Sequence, residues 1–283
     1  MMIDELKYEA LLNTEEIRRR IEKFESLDLS FTSSEQILSA ILDIFSVEDE
    51  GKKTFIFEYV LTTMSNHERF YRVRKLDSFP QNRAPCEADF WNHPEAPINR
   101  FNRAGEKVLY ASKDVETPLQ ELRVGKSEPF ILIEYINTLP LILCPSEISN
   151  RYSDKKPISE ALGMLNNFIT SLARINVGEN ERYKYKATRA LADLLYMLTD
   201  SLEETLDGIF YVSVHTGEMK NIAIKGKKLN KLMINNMWVA SRNELNTINL
   251  YKQIFIESGT IRCEKVSLSS IEHFARNISL IPY

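Results

Sequence analysis

Strand-like segments lie on both sides of a helical middle in this chain, and that order constrains the fold more than any other feature. Before the middle come RFYRVRKL (69–76), KVLYAS (107–112), FILIEYI (130–136) and LPLILC (139–144), short apolar runs bounded by turn-forming residues. The last two read as consecutive strands broken near Thr138-Leu139-Pro140. Two stretches of helical period follow: Ile158, Leu162, Leu165, Ile169 and Leu172 form one stripe, and Ala187, Leu191, Leu194, Leu195 and Leu198 another. The chain then returns to strand in GIFYVSV (208–214) and NIAIK (221–225). Strands grouped around helices predict an α+β fold with a mixed sheet and flanking helices, where strict βαβ alternation would predict a doubly wound sheet. No GxGxxG or GxxxxGK[ST] occurs, so a bound nucleotide would be held without the usual glycine fingerprint.

The first 65 residues read as a small helical extension. Ser33 and Gln36 have capping-box spacing before Ile37, Leu38, Ile41, Leu42 and Phe45, and Thr14 is placed to cap a helix over Glu15–Phe24. The charged, glycine-containing VEDEGKK (47–53) is the best candidate boundary, and FIFEYVLTTM (55–64) is ambiguous between strand and helix. We therefore expect an extension over 1–65 and a main domain over 66–283, with a helical insertion around 150–205. The 283 residues, 43% hydrophobic, suffice for a sizeable core. The opening MMIDELKYEA is acidic and amphipathic, no run approaches the ~18–20 apolar residues that span a bilayer, and Cys86, Cys144 and Cys263 are widely spaced. A cytoplasmic protein without disulfides or membrane contact is the expectation.

The candidate site begins with RFYRVRKL. On a strand, Arg72 and Arg74 share one face, and two guanidiniums suit the oxygens of a pyrophosphate. Arg100 lies among turn formers (Asn102, Gly105) before the strand that carries Tyr110, whose ring can stack on a base. Thr117 offers an N-cap, Pro118 a first helical residue and Gln120 a capping-box partner, which places Glu121 early in a helix. A carboxylate there can stabilise a sugar cation, or merely complement the helix dipole. Ser213 has no Gly-x-Ser-x-Gly setting and reads as an orienting group rather than a nucleophile.

Tyr110 follows Arg100 by ten residues and Glu121 follows Tyr110 by eleven. This set, in the settings FYRVR, INRFNRAGEKVLYAS, ETPLQELR and DGIFYVS, resembles the RES domain family over about residues 68–235. The resemblance implies an ADP-ribosyltransferase-like core and NAD as substrate, with cleavage of its nicotinamide–ribose bond. Water, phosphate or a protein side chain would be the acceptor. It implies Glu121, Arg72 and Ser213 as catalytic residues, and Arg72, Arg74, Arg100, Tyr110 and Ser213 as NAD-binding residues. It also implies bacterial growth arrest by NAD loss, restrained by an antitoxin. Pro118 stands where such domains more often have alanine. That departure and the extra helices support the alternative, a catalytically silent interaction module.

Other residues carry less. His67, His93, His215 and His273 never approach a metal-ligand spacing, so no metal is expected, although Cys86 and His93 are seven apart. His215 lies two after Ser213 and would share its face on a strand. Asp89, Trp91 and His93-Pro94 form a loop able to cover a nucleotide or to plug a core. Lys225, Lys227, Lys228 and Lys231 could meet phosphate, but a net charge of −4 argues against a nucleic-acid binder.

Overall fold

The computed structural model describes residues 12–49, 51–55, 61–77, 90, 98–146, 156–175, 177–198, 206–213, 215–257, 260–267 and 272. Five helices, α1 (Thr14–Glu25), α2 (Ser34–Ile44), α3 (Glu116–Glu121), α4 (Lys156–Ala173) and α5 (Tyr185–Leu198), accompany twelve strands among these residues. The fold is α+β. Strands β1 (Ser46–Asp49) and β2 (Lys52–Phe55) make a hairpin across 47–53, turning at Gly51 with φ +75°.

The remaining strands are β3 (Thr62–Met64), β4 (Arg69–Lys75), β5 (Val108–Ser112), β6 (Phe130–Asn137), β7 (Leu141–Pro145), β8 (Gly208–Val212), β9 (Met219–Lys225), β10 (Leu232–Arg242), β11 (Ile248–Glu257) and β12 (Thr260–Lys265). They form one ten-stranded sheet in the order β12-β11-β10-β6-β4-β5-β9-β8-β7-β3. Every pairing is antiparallel except β7 with β8, so the sheet is mixed. The consecutive strands β6 and β7 do not pair; each belongs to a different half of the sheet. Between the halves, β4 and β5 share a single register pair, Tyr71 with Ser112. Gly208 opens β8 where a Cβ would lie 2.1 Å from the carbonyl oxygen of Ala223, so only glycine fits there.

Local signals explain the helices. The capping box at Ser33 and Gln36 is present, while α1 is capped by Asn13, which accepts from Glu16 N at 3.1 Å, rather than by Thr14. One apolar stripe of each helix is buried. Ile17 and Phe24 of α1 and Ile37, Ile41 and Ile44 of α2 enter the same core as Ile158, Leu165, Leu191 and Leu195 of α4 and α5. Phe168 joins the layers, meeting Phe24 edge-on at 5.1 Å and Phe45 at 6.0 Å. This core continues onto the sheet through Val108, Ile209, Tyr211 and Ala223. A second core draws on both halves of the sheet, including Phe70, Leu109, Ile133, Leu143 and Ile222.

Candidate active site

The weak join between β4 and β5 makes room for side chains. Arg72 is buried beside it and donates from Nη1 to the Tyr110 carbonyl at 3.2 Å, while its buried Nε has no hydrogen-bond partner. Burial, and then Arg74, lower its pKa to about 10. A guanidinium in this state has donors in reserve for an anion.

Arg100 stands in the tight turn closed by the Asn99–Asn102 bridge. Its Nη2 donates to Ile175 O, two residues past α4, at 3.2 Å, its guanidinium lies 5.8 Å from the centre of the Tyr211 ring, and its buried Nε is unpartnered. The Tyr110 hydroxyl holds this turn in place, accepting from Phe101 N at 2.8 Å and donating to Asn102 Oδ1 at 2.9 Å. Burial raises the pKa of that hydroxyl, keeping it a donor. From the other side Arg189 of α5 donates to Phe101 O at 3.0 Å and pairs with Asp193 and Glu106. The helical middle therefore supports the turn that carries Arg100.

Glu121 is the last residue of α3, a helix that begins earlier than expected. Val115, not Thr117, is its N-cap residue, and the Asp114 carboxylate just before it accepts from Thr117 N at 2.7 Å; the Thr117 hydroxyl is buried without a partner. Pro118 falls in the first turn, where a backbone N–H has no intrahelical acceptor to lose. Helix-dipole complementation does not explain Glu121, since it sits at the end where a carboxylate is disfavoured. Its Oε1 accepts from the hydroxyl of the buried Ser213 at 3.0 Å and from Asn221 Nδ2 at 2.6 Å. Ser213 in turn accepts from His215 N at 3.3 Å.

These elements enclose a cavity of about 310 Å³ with Arg72, Arg74, Arg100, Tyr110, Glu121, Tyr185, Tyr211, His215 and Asn221 on its wall. Ser213 reaches it through Glu121 rather than directly. Three guanidiniums face one carboxylate on this wall, a balance suited to a ligand with two negative charges and a reacting centre that turns positive. Asn221, Tyr211 and Tyr185 were not singled out from the sequence. Asn221 is identified only by register, being opposite both Ser112 of β5 and Tyr211 of β8.

The geometry is matched by kinship. Residues 69–234, more than half of the chain, match the RES domain family. The chain belongs to the RES domain family. RES domains are associated with toxin–antitoxin systems, and the matched span contains every cavity residue named above. No curated protein and no solved structure matches the chain.

Other sequence candidates fall elsewhere in this RES protein. Lys231 and Lys228 lie 2.8 and 3.9 Å from the buried Asp207, and Lys225 sits 3.7 Å above the Tyr196 ring. The lysine stretch is thus tied into the fold away from the cavity. Cys144 is buried, its thiol pushed up to about 12 by desolvation, and Cys263 is exposed. His67 lies in the β3–β4 turn at φ 67°. Cys86, Asp89, Trp91, His93, Pro94 and His273 lie outside the described residues. Among the described residues no cluster of three metal-ligating side chains occurs, and no helix is long and apolar enough to cross a membrane.

Proposed function

We propose that this RES protein binds NAD and cleaves its nicotinamide–ribose bond. The observation that carries the reading is a carboxylate, Glu121, held by Ser213 and Asn221 in the same cavity as two guanidiniums, Arg72 and Arg100, that have no acidic partner among the described residues. In this reading Arg72, Arg74 and Arg100 bind the pyrophosphate, whose two negative charges offset burial of the arginines. Tyr110 keeps Arg100 in position through its hydroxyl and offers its ring to a base of the ligand.

The C1′–N bond breaks with its electron pair passing to the nicotinamide nitrogen, so nicotinamide leaves neutral and the ribose acquires oxocarbenium character. Glu121 stabilises that cation and accepts a ribose hydroxyl, while Ser213 keeps the carboxylate oriented. Water, phosphate or a protein side chain then attacks C1′, giving a glycohydrolase, a phosphorylase or an ADP-ribosyltransferase. Residues 66–283 would form the catalytic unit, with the insertion around 150–205 closing one side and residues 1–65 as its extension. An antitoxin and a cytoplasmic setting complete the proposal.

Purified protein incubated with NAD, with and without phosphate, tests it by release of free nicotinamide. Release by the native chain and its loss, by about a hundredfold or more, in Glu121→Ala is expected. A phosphate requirement would identify phosphorolysis. No release in either buffer or with cellular protein as acceptor, together with no NAD binding by the native chain, would favour the silent interaction module.

A further inference from the structure

The Glu121 carboxylate has a support that no sequence motif announces. Ser112 and Asn221 face one another across the β5–β9 pair, and both are buried. The Ser112 hydroxyl donates to Asn221 Oδ1, which leaves the amide nitrogen of Asn221 turned toward Glu121 Oε1, 2.6 Å away. A flipped amide would set Asn221 Oδ1 against Glu121 Oε1, so the carboxylate selects the orientation and the serine hydroxyl holds it there. Ser213 donates to the same oxygen at 3.0 Å, and Glu121 Oε2 accepts no hydrogen bond among the described residues.

We propose that Asn221, held by Ser112, is a positioning residue that fixes Glu121 by one oxygen and leaves the other for the substrate. The inference deepens the proposed reaction and rests on it for its kinetic consequence. Two donors on Oε1 remove the rotational freedom of the carboxylate before substrate arrives, so no ordering is needed as positive charge develops on the sugar. Asn221 acts only through Glu121 and Ser112 only through Asn221, and that dependence is measurable.

Nicotinamide release by the full-length chain is compared with Asn221→Ala, Asn221→Asp, Ser112→Ala and Ser112→Thr. Asn221→Ala lowers kcat by about ten- to hundredfold with KM nearly unchanged, the size expected for a hydrogen bond to a charged group. Asn221→Asp keeps the shape and the bond to Ser112 but turns a carboxylate on Glu121, and loses at least as much. Ser112→Thr retains the hydroxyl and stays near the native rate, where Ser112→Ala does not. In a Glu121→Ala background, Asn221→Ala brings no further loss, whereas multiplied losses would overturn the proposal.

A readout without catalysis accompanies the kinetics. With asparagine selectively 15N-labelled, the side-chain amide resonance of Asn221 shifts on both Glu121→Ala and Ser112→Ala. An amide indifferent to either change overturns the proposal whatever the rates. If the native chain releases no nicotinamide while the amide still responds to both, the positioning chain stands and the reaction falls. Normal release with multiplied losses gives the reverse.

Discussion

Arg72 sits where burial works against its charge, and this has a measurable consequence. Its folded pKa is about 10 against an ordinary 12.5, with desolvation the larger cause and Arg74 the second. Below pH 10 the guanidinium is protonated in both the folded and the unfolded chain, so folding carries the whole penalty of burying it. As pH rises from 10 toward 12.5 the folded state releases its proton first and the penalty falls away. Arg72→Met should therefore raise unfolding stability at neutral pH, by on the order of 1–3 kcal/mol after loss of the bond to Tyr110 O. The gain should shrink above pH 10, and the variant should lack the thermal stabilisation by NAD that the proposed function predicts for the native chain. Urea unfolding at several pH values and melting with and without NAD would test this; a destabilised variant that still binds NAD would refute it. Tyr110→Phe should act in the opposite sense. Removing the hydroxyl strands Phe101 N and takes one donor from Asn102, which should cost about 1–3 kcal/mol in urea and weaken NAD binding through the displaced Arg100 turn. The positions of Arg72, Arg100, Tyr110, Glu121 and Ser213 were legible in the sequence because each stands in a recognisable setting. The tether role of Tyr110 was not, because its partners lie eight and nine residues upstream across a turn whose closure local pattern does not specify.

At the scale of elements, α3 decides where Glu121 points, and it is too short to hold itself. Arg242 at the end of β10 clamps its first residue, with Nη2 2.8 Å from both oxygens of Glu116. Its far end turns at Arg123, a non-glycine residue at φ 50°, after Val124 N returns to Leu119 O at 2.9 Å. Arg242→Ala should slow nicotinamide release more than it lowers the melting temperature, because the half-exposed ion pair contributes only about 1 kcal/mol or less to stability yet sets the helix. The exchange Glu116→Arg with Arg242→Glu should recover part of the rate; a variant with native kcat would show that α3 needs no clamp. Arg123→Gly should stabilise by up to about 1 kcal/mol, since glycine reaches the left-handed region without a Cβ clash. The sequence showed that a helix begins near Pro118, but it assigned the cap to Thr117. The cap falls on Val115 instead, with the Asp114 carboxylate before it reaching the Thr117 N–H, and a proline is tolerated anywhere in a first turn. Strands β4 to β9 were legible from apolar runs, whereas β1, β2 and β10 to β12 were not, and neither was strand order: β6 and β7 are adjacent in sequence and separate in the sheet.

For the whole molecule, the central question is what the N-terminal helices contribute. Their capping box and periodicity were plain in the sequence, yet nothing local could reveal that they share a core with α4 and α5. Ile37, Ile41 and Ile44 are fully buried in that core, which also contains Phe101 beside Arg100 and Tyr211 beneath it. The path from α1 and α2 to the cavity is thus continuous packing: α2 on α5, Arg189 of α5 on the Phe101 carbonyl, and α4 delivering the Ile175 carbonyl to Arg100. Deleting residues 1–45 would expose the apolar stripes of two helices, so the truncated chain should aggregate or unfold rather than run as an unrestrained enzyme. A milder probe separates stability from chemistry. Ile41→Ala should cost about 2–5 kcal/mol through its cavity and lower the melting temperature, while KM for NAD measured well below that temperature stays near native. If the truncated chain instead remained monomeric, melted as the full chain does and released nicotinamide faster, the helices would be a removable regulator, and their shared core would be incidental to the site.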